Sequence, residues 1–280
     1  MILTNVATVY LLRQYYFAKS KTGSNNSQII PPYYRQSDFR KPPISQMTIS
    51  EKSHRVRIPI IMYHYVEYVK DVNDLVRKKL NITPDLFERQ LSTLKYSKYK
   101  TYFVKDVPGM LDGQVQISSR SAVLTFDDGY EDFYTDVFPL LKKYDMRATL
   151  YVINDYVGRR GFLTEPQIKE LSRSGLVEIG AHTLDHIYLK RAPESLVRTQ
   201  IFASKKRLEE MIGMPVMTFA YPYGAFNNET TAVVRQASFS AAVSVVPGIV
   251  HTDQSLFYLY RIRAGSLWPP TMISFLDNYK

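Results

Sequence analysis

Ala122 to Tyr130 reads A-V-L-T-F-D-D-G-Y, an apolar run closed by two carboxylates and a glycine. Five consecutive residues suited to burial on both faces call for a strand inside a parallel sheet, covered above and below. Gly129 then marks the turn out, leaving Asp127 and Asp128 at the strand's C-terminal end. Adjacent side chains on an extended backbone point in different directions, so the two carboxylates need not share one task. In parallel α/β folds that end of a strand is where chemistry is usually placed.

Around this stretch, short apolar runs alternate with helical spacing. Strands are expected over 58–66, 101–104 and 148–153, in the stretch 177–186 that closes on two histidines, and over 216–221, 239–245 and 257–264. Between them the sequence predicts helices from Thr83, which caps Pro84, over 133–144 with a kink at Pro139, and over 165–174, 193–212 and 229–236. A last helix is expected over 271–278. Such alternation implies an α/β fold with a wound or barrel-closed parallel sheet, and pattern alone does not choose between them. The chain divides into a short apolar segment (1–19), a flexible linker rich in Pro, Ser and Asn (20–54), and one α/β domain (55–280).

Val177 to His186 reads V-E-I-G-A-H-T-L-D-H and ends a second strand with His182 and His186, four apart. The chain has five histidines and no cysteine, so a metal must be held by nitrogen and oxygen. Two imidazoles and a carboxylate leave open positions on an ion, as hydrolytic centres require. His64, Asp127, Asp128, His182, His186 and Tyr223 all fall at or just beyond predicted strand ends. A barrel would gather those ends on one face. Asp132 and Asp185, near the motifs, read as loop residues.

The order T-F-D-D-G-Y, H-T-L-D-H and F-A-Y-P-Y-G (Phe219 to Gly224) resembles the polysaccharide deacetylases, the carbohydrate esterases with a NodB-homology domain. The likeness spans about Pro59 to Ser266. It implies an irregular (β/α) barrel of about seven parallel strands and a metal-dependent N-deacetylase. Carried over, Asp128, His182 and His186 hold one divalent ion, zinc first, with cobalt, nickel, iron or manganese able to substitute. Asp127 becomes the general base. The third motif, Tyr221, Pro222 and Tyr223, would serve substrate and oxyanion, the latter through the Tyr223 backbone N–H.

Two departures narrow the resemblance. The third motif has Ala220 where the family usually places an arginine that fixes the base, and no Leu-X-His motif appears near the C-terminus. The early M-Y-H-Y-V is similar to the biofilm poly-N-acetylglucosamine deacetylases, which makes His64 the general acid. Arg261, in L-Y-R-I, matches the arginine of that subgroup and would tether Asp127. Arg263, two residues on, would face the same side.

The expected substrate is poly-β-1,6-N-acetylglucosamine, with peptidoglycan or chitin oligomers next. Rival readings are a non-catalytic sugar-binding relative and a metal amidase acting on small cyclic amides. A net charge of +10 without a nucleic-acid-binding signature suggests peripheral contact with membrane or anionic wall polymers rather than nucleic acid. A monomer, exported or anchored at the cell envelope, completes the expectation.

Overall fold

A computed structural model describes residues 54–71 and 73–279. The expectations for 1–19, and for the linker except His54, lie outside the described residues. Eight parallel strands make the main sheet: β1 (Ile60–Tyr63), β2 (Lys100–Tyr102), β3 (Ser121–Phe126), β4 (Ala148–Val152), β5 (Val177–Ala181), β6 (Thr218–Ala220), β7 (Ala241–Val243) and β8 (Ile262–Arg263). Seven of them follow the order β7-β6-β5-β4-β3-β1-β8, and β2 pairs with the first half of β3. A parallel bridge between Val243 and Leu259 brings the chain ahead of β8 back to β7. The sheet is thereby curled into an incomplete barrel, as the resemblance implied.

Helices α1 (Pro84–Tyr96), α2 (Phe138–Tyr144), α3 (Glu165–Arg173), α4 (Glu194–Ile212), α5 (Asn228–Gln236) and α6 (Pro269–Asn278) surround it. Thr83 caps α1 by accepting from the Leu86 N–H, and Pro84 fills the first position, where no N–H is needed. α1 buries Phe87, Gln90, Leu91 and Leu94. Gln90 accepts from the Tyr63 hydroxyl at 2.9 Å and donates to the carbonyls of Ala264 and Leu267, so one amide joins β1 to the last segment.

The strands obey a period of two. Ala122, Leu124 and Phe126 of β3 pack outward with the helices. Val123 joins Ile60, Tyr151, Ala220, Ala241, Val243 and Leu259 in an inner cluster. A Cβ on Gly180 would lie 2.4 Å from the Tyr151 ring, so only glycine lets that ring fill the barrel. Continuing the inner phase beyond each strand gives Ile60–Met62–His64, Val123–Thr125–Asp127, Gly180–His182 and Leu259–Arg261. Alternation alone aims these four polar side chains at one place.

Several expected boundaries shift, for identifiable reasons. The strand expected over 58–66 breaks at His64. That over 257–264 is regular only at β8, because Arg261 N–H donates to Val246 O instead of continuing a ladder. No kink lies within α2. Pro139 has no N–H, and the Phe138 N–H reaches back five residues to Phe133 O, so a wider turn over Phe133–Val137 precedes the helix. Short helices at Leu75–Leu80 and Val107–Leu111 were not expected, nor was the antiparallel pairing of Arg55–Arg57 with Val250–Thr252.

Candidate active site

β3, β5 and β6 each end in a tight turn whose backbone is left-handed. Asp128 and Gly129 both have φ +78°, Thr183 +66°, His186 +62°, Tyr223 +58° and Gly224 +64°. Seven described non-glycine residues have positive φ, and four of them are Asp128, Thr183, His186 and Tyr223. Each costs roughly 1–2 kcal/mol for an L-residue, so the fold concentrates backbone strain here. Gly224 has no freedom to change, since a Cβ would meet Val245 at 2.2 Å.

His182 Nδ1 lies 2.7 Å from the carbonyl oxygen of Ala220. A carbonyl only accepts, so Nδ1 carries the proton and Nε2 presents its lone pair to the site. The Nε2 atoms of His182 and His186 each stand 3.3 Å from Asp128 Oδ1. All three residues are buried, and their ligand atoms lie within 4.8 Å of one another. Neither carboxylate oxygen of Asp128 has a hydrogen-bond partner. Two buried imidazoles converging on one buried carboxylate suit one small cation, and the nitrogen and oxygen ligand atoms suit a divalent one. Burial opposes ionisation of Asp128, but the neighbouring histidines hold its carboxyl well below the usual range. Burial pushes His186 down to about 4, keeping its imidazole neutral. The other described group with ligand spacing, His54, Asp112 and Asp253, is exposed.

Asp127 is held separately. Arg261 Nη1 and Nη2 donate to its two oxygens at 2.7 and 2.8 Å, a bidentate pair whose arginine side chain is completely buried. Arg261 Nε donates to Ser244 O at 2.7 Å and Nη1 also reaches Thr125 Oγ1 at 3.2 Å. Thr125 in turn donates to Ile61 O. Burial works against the Asp127 carboxylate, yet Arg261 outweighs it and the pKa lies below the ordinary value. Arg263 shares the phase of Arg261 but is exposed. Thr125 and Ser244 went unnoticed in the sequence, although Thr125 is in phase with Asp127.

His64 Nε2 lies 3.8 Å from Asp127 Oδ2, and its side chain is 16% exposed. Burial lowers its pKa, against the pull of Asp127 and Asp128. The Tyr223 ring stands 4.4 Å from the His186 ring, walling the ligand set. Pro222 opens the Pro222–Gly224 turn. The Tyr221 side chain lies elsewhere: it is buried, its hydroxyl donates to Phe257 O at 2.8 Å, and its ring packs on Phe219 and Phe226. Only the Tyr221 backbone belongs to the site, because the inner phase of β6 falls on Ala220.

His251 is remote. Its Nε2 meets Ile58 O at 3.0 Å, at the opposite end of β1 from His64. Burial holds it down to about 4, against about 6.5 for an exposed imidazole. The folded pKa is the lower one, so stability is complete above about pH 6.5 and lost as pH falls towards 4, by on the order of 3 kcal/mol. In unfolding titrations from pH 7 to 4, His251→Asn should therefore show a shallower loss of stability than the parent chain. An unchanged slope would contradict this.

Residues 114–242 match the family model described as polysaccharide deacetylase. The chain is 31% identical over 209 residues to YxkH of Bacillus subtilis, a candidate polysaccharide deacetylase, covering 75% of this chain and 72% of that one. The chain belongs to the polysaccharide deacetylase family. Among solved structures, the deacetylase PplD of Streptococcus pyogenes in complex with acetate superimposes with a TM-score of 0.73. It is 30% identical, with 79% of this chain and 98% of that one covered. The poly-β-1,6-N-acetyl-D-glucosamine N-deacetylase of Staphylococcus aureus is 26% identical over 222 residues, covering 75% of this deacetylase and 76% of its own length.

Proposed function

We propose that this deacetylase uses one divalent metal ion, zinc first among the candidates, to remove N-acetyl groups from a β-1,6-linked N-acetylglucosamine polymer. The observation that carries the reading is the juxtaposition of two distinct groups. Asp127, its charge secured by Arg261 and with His64 beside it, adjoins the buried, converging set of Asp128, His182 and His186. The likeness to the Staphylococcus aureus enzyme, over three quarters of both chains, supports the polymer.

Bound by Asp128, His182 and His186, the metal would polarise the acetyl carbonyl and make a bound water more acidic. The protein's side chains handle the protons. Asp127 stays ionised because of Arg261 and takes the proton of the attacking water. Each of its oxygens accepts one arginine N–H and keeps a lone pair for that purpose. The left-handed turn at Tyr223 directs that residue's backbone N–H to the developing oxyanion. His64 begins neutral, since burial lowers its pKa. It collects a proton from the Asp127 side and gives it to the leaving amine.

The reading extends to location. A charge of +10 favours work at an anionic envelope, outside the membrane, on a polymer too large to enter. Among the described residues no helix is long and apolar enough to cross a membrane.

Acetate release should be measured on poly-β-1,6-N-acetylglucosamine, peptidoglycan fragments and chitin oligomers, with metal-loaded and metal-stripped enzyme. Release is expected from the first, lost on chelation and restored by zinc or cobalt. Asp128→Asn and His182→Ala should weaken metal binding, read directly as metal content. Full turnover after verified depletion would overturn the metal's role, and release confined to peptidoglycan or chitin would overturn the substrate.

A further inference from the structure

Asp132 has no task in the chemistry above, and the usual reasons for an aspartate at its position do not apply. It stands just ahead of the turn Phe133–Val137, where an aspartate would ordinarily cap the helical start, yet its side chain makes no cap bond. Oδ2 instead accepts the backbone N–H of Val66 at 2.5 Å. Oδ1 is buried with no partner. Burial, with Glu67 and Asp136 adding to it, pushes the carboxyl up to about 7. Stability alone gives no reason to keep a carboxyl in such a place, because an unpartnered buried oxygen costs about 1–3 kcal/mol.

What the carboxylate grips gives the reason. Val66 is the second residue after His64, in the segment that leaves β1 and pairs as Tyr65–Val66 with Asn81–Ile82. The turn carrying Asp127 and Asp128 touches that segment three times. Asp127 N–H donates to Tyr63 O at 3.1 Å, on the near side of His64. The Tyr130 ring stacks on Tyr65 at 3.8 Å between centroids. Asp132 then takes the Val66 N–H on the far side. His64 is bracketed by bonds to the stretch that holds the base and a metal ligand.

We propose that Asp132 is a positioning residue for His64, fixing the backbone beyond it so that Nε2 stays beside Asp127 Oδ2. The inference rests on the reading of His64 as the group that protonates the leaving amine. Glu67 N–H bonds to Ile82 O and Asn81 Oδ1 secure the next residue to a different strand. Without Asp132, therefore, the backbone beyond His64 loses its hydrogen bond to the Asp127 turn, and the Tyr65–Tyr130 ring stack alone joins the two there.

The test uses metal-loaded full-length enzyme with two substrates, an N-acetylglucosamine oligomer and 4-nitrophenyl acetate, whose leaving group needs little protonation. Asp132→Leu removes the acceptor at similar volume, and Asp132→Asn keeps one for Val66. Asp132→Leu should lower kcat on the amide about tenfold to a hundredfold, with KM, metal content and ester turnover nearly unchanged. Asp132→Asn should restore most of the amide rate. Adding Asp132→Leu to His64→Ala should cost nothing further, since both act through one imidazole. If Asp132→Leu does not fold, Asp132→Ser, too short to reach Val66, carries the same comparison. Equal losses on amide and ester, or losses that multiply in the double variant, would overturn the positioning role and leave that of His64 standing. A His64→Ala enzyme with full amide turnover would overturn both.

Discussion

Asp127→Asn should retain its metal and lose acetate release by about 10²–10⁴-fold, the usual worth of a positioned base. The candidate ligand atoms belong to Asp128, His182 and His186, so metal content should match the parent enzyme. The amide oxygen of asparagine can still accept one N–H of Arg261, but its NH2 would confront the other guanidinium nitrogen. Arg261 would then be a fully buried cation without its anion, and breaking such a pair costs about 3–5 kcal/mol. A lower unfolding midpoint should therefore accompany the lost turnover. An activated ester should not rescue the variant, because attack by water needs the base whatever group departs. Wild-type turnover, or loss of the metal with Asp127 replaced, would contradict the assignment.

His64→Ala should behave differently. Amide turnover should fall by about 10²–10⁴-fold, while 4-nitrophenyl acetate hydrolysis is largely spared. Metal content and unfolding should change little, because His64 is not one of the candidate ligands and is partly exposed. The contrast is diagnostic. A base is needed to form the tetrahedral intermediate, an acid only to break it towards a poor leaving group. Equal loss on both substrates with the metal retained would make His64 structural. Of the other described histidines, His182 and His186 at this face belong to the candidate ligand set. His251 is at the far end of the barrel and His54 is exposed.

The candidate metal ligands and the candidate base were legible as a cluster because each motif sits at a strand end, and a parallel barrel gathers strand ends whatever its details. Asp127 and His182 were placed by period two alone. The Arg261 contact was suggested only by resemblance, since nothing in L-Y-R-I says which of 36 Lys and Arg residues meets a carboxylate 134 residues away. Tyr221 was misplaced for the same reason in reverse. Membership of a motif does not tell which face of a three-residue strand a side chain takes, and Tyr221 takes the core. Left-handed turns at Asp128, His186 and Tyr223 were invisible, because even aspartate and histidine, which adopt that backbone more often than most residues, do so in a small minority of cases. Asp132 looked like a loop residue because its partner is a backbone N–H, which has no sequence signature.

The long reach from Arg261 to Asp127 has a consequence for how the protein is made. During synthesis, β3 and the histidine turn leave the ribosome well before the segment from Leu259 to Arg263. Until that segment arrives, the nascent domain lacks both the β8 edge and the only cation that touches Asp127 among the described residues' hydrogen bonds. Its carboxylate must stay hydrated or protonated, and neither state serves as a secured base. Such distant pairing is also slow to form, because loop closure must precede any gain from contact. Completion of the chain is thus what secures Asp127, and a product truncated before Leu259 would keep the candidate ligand residues and is expected to release no acetate.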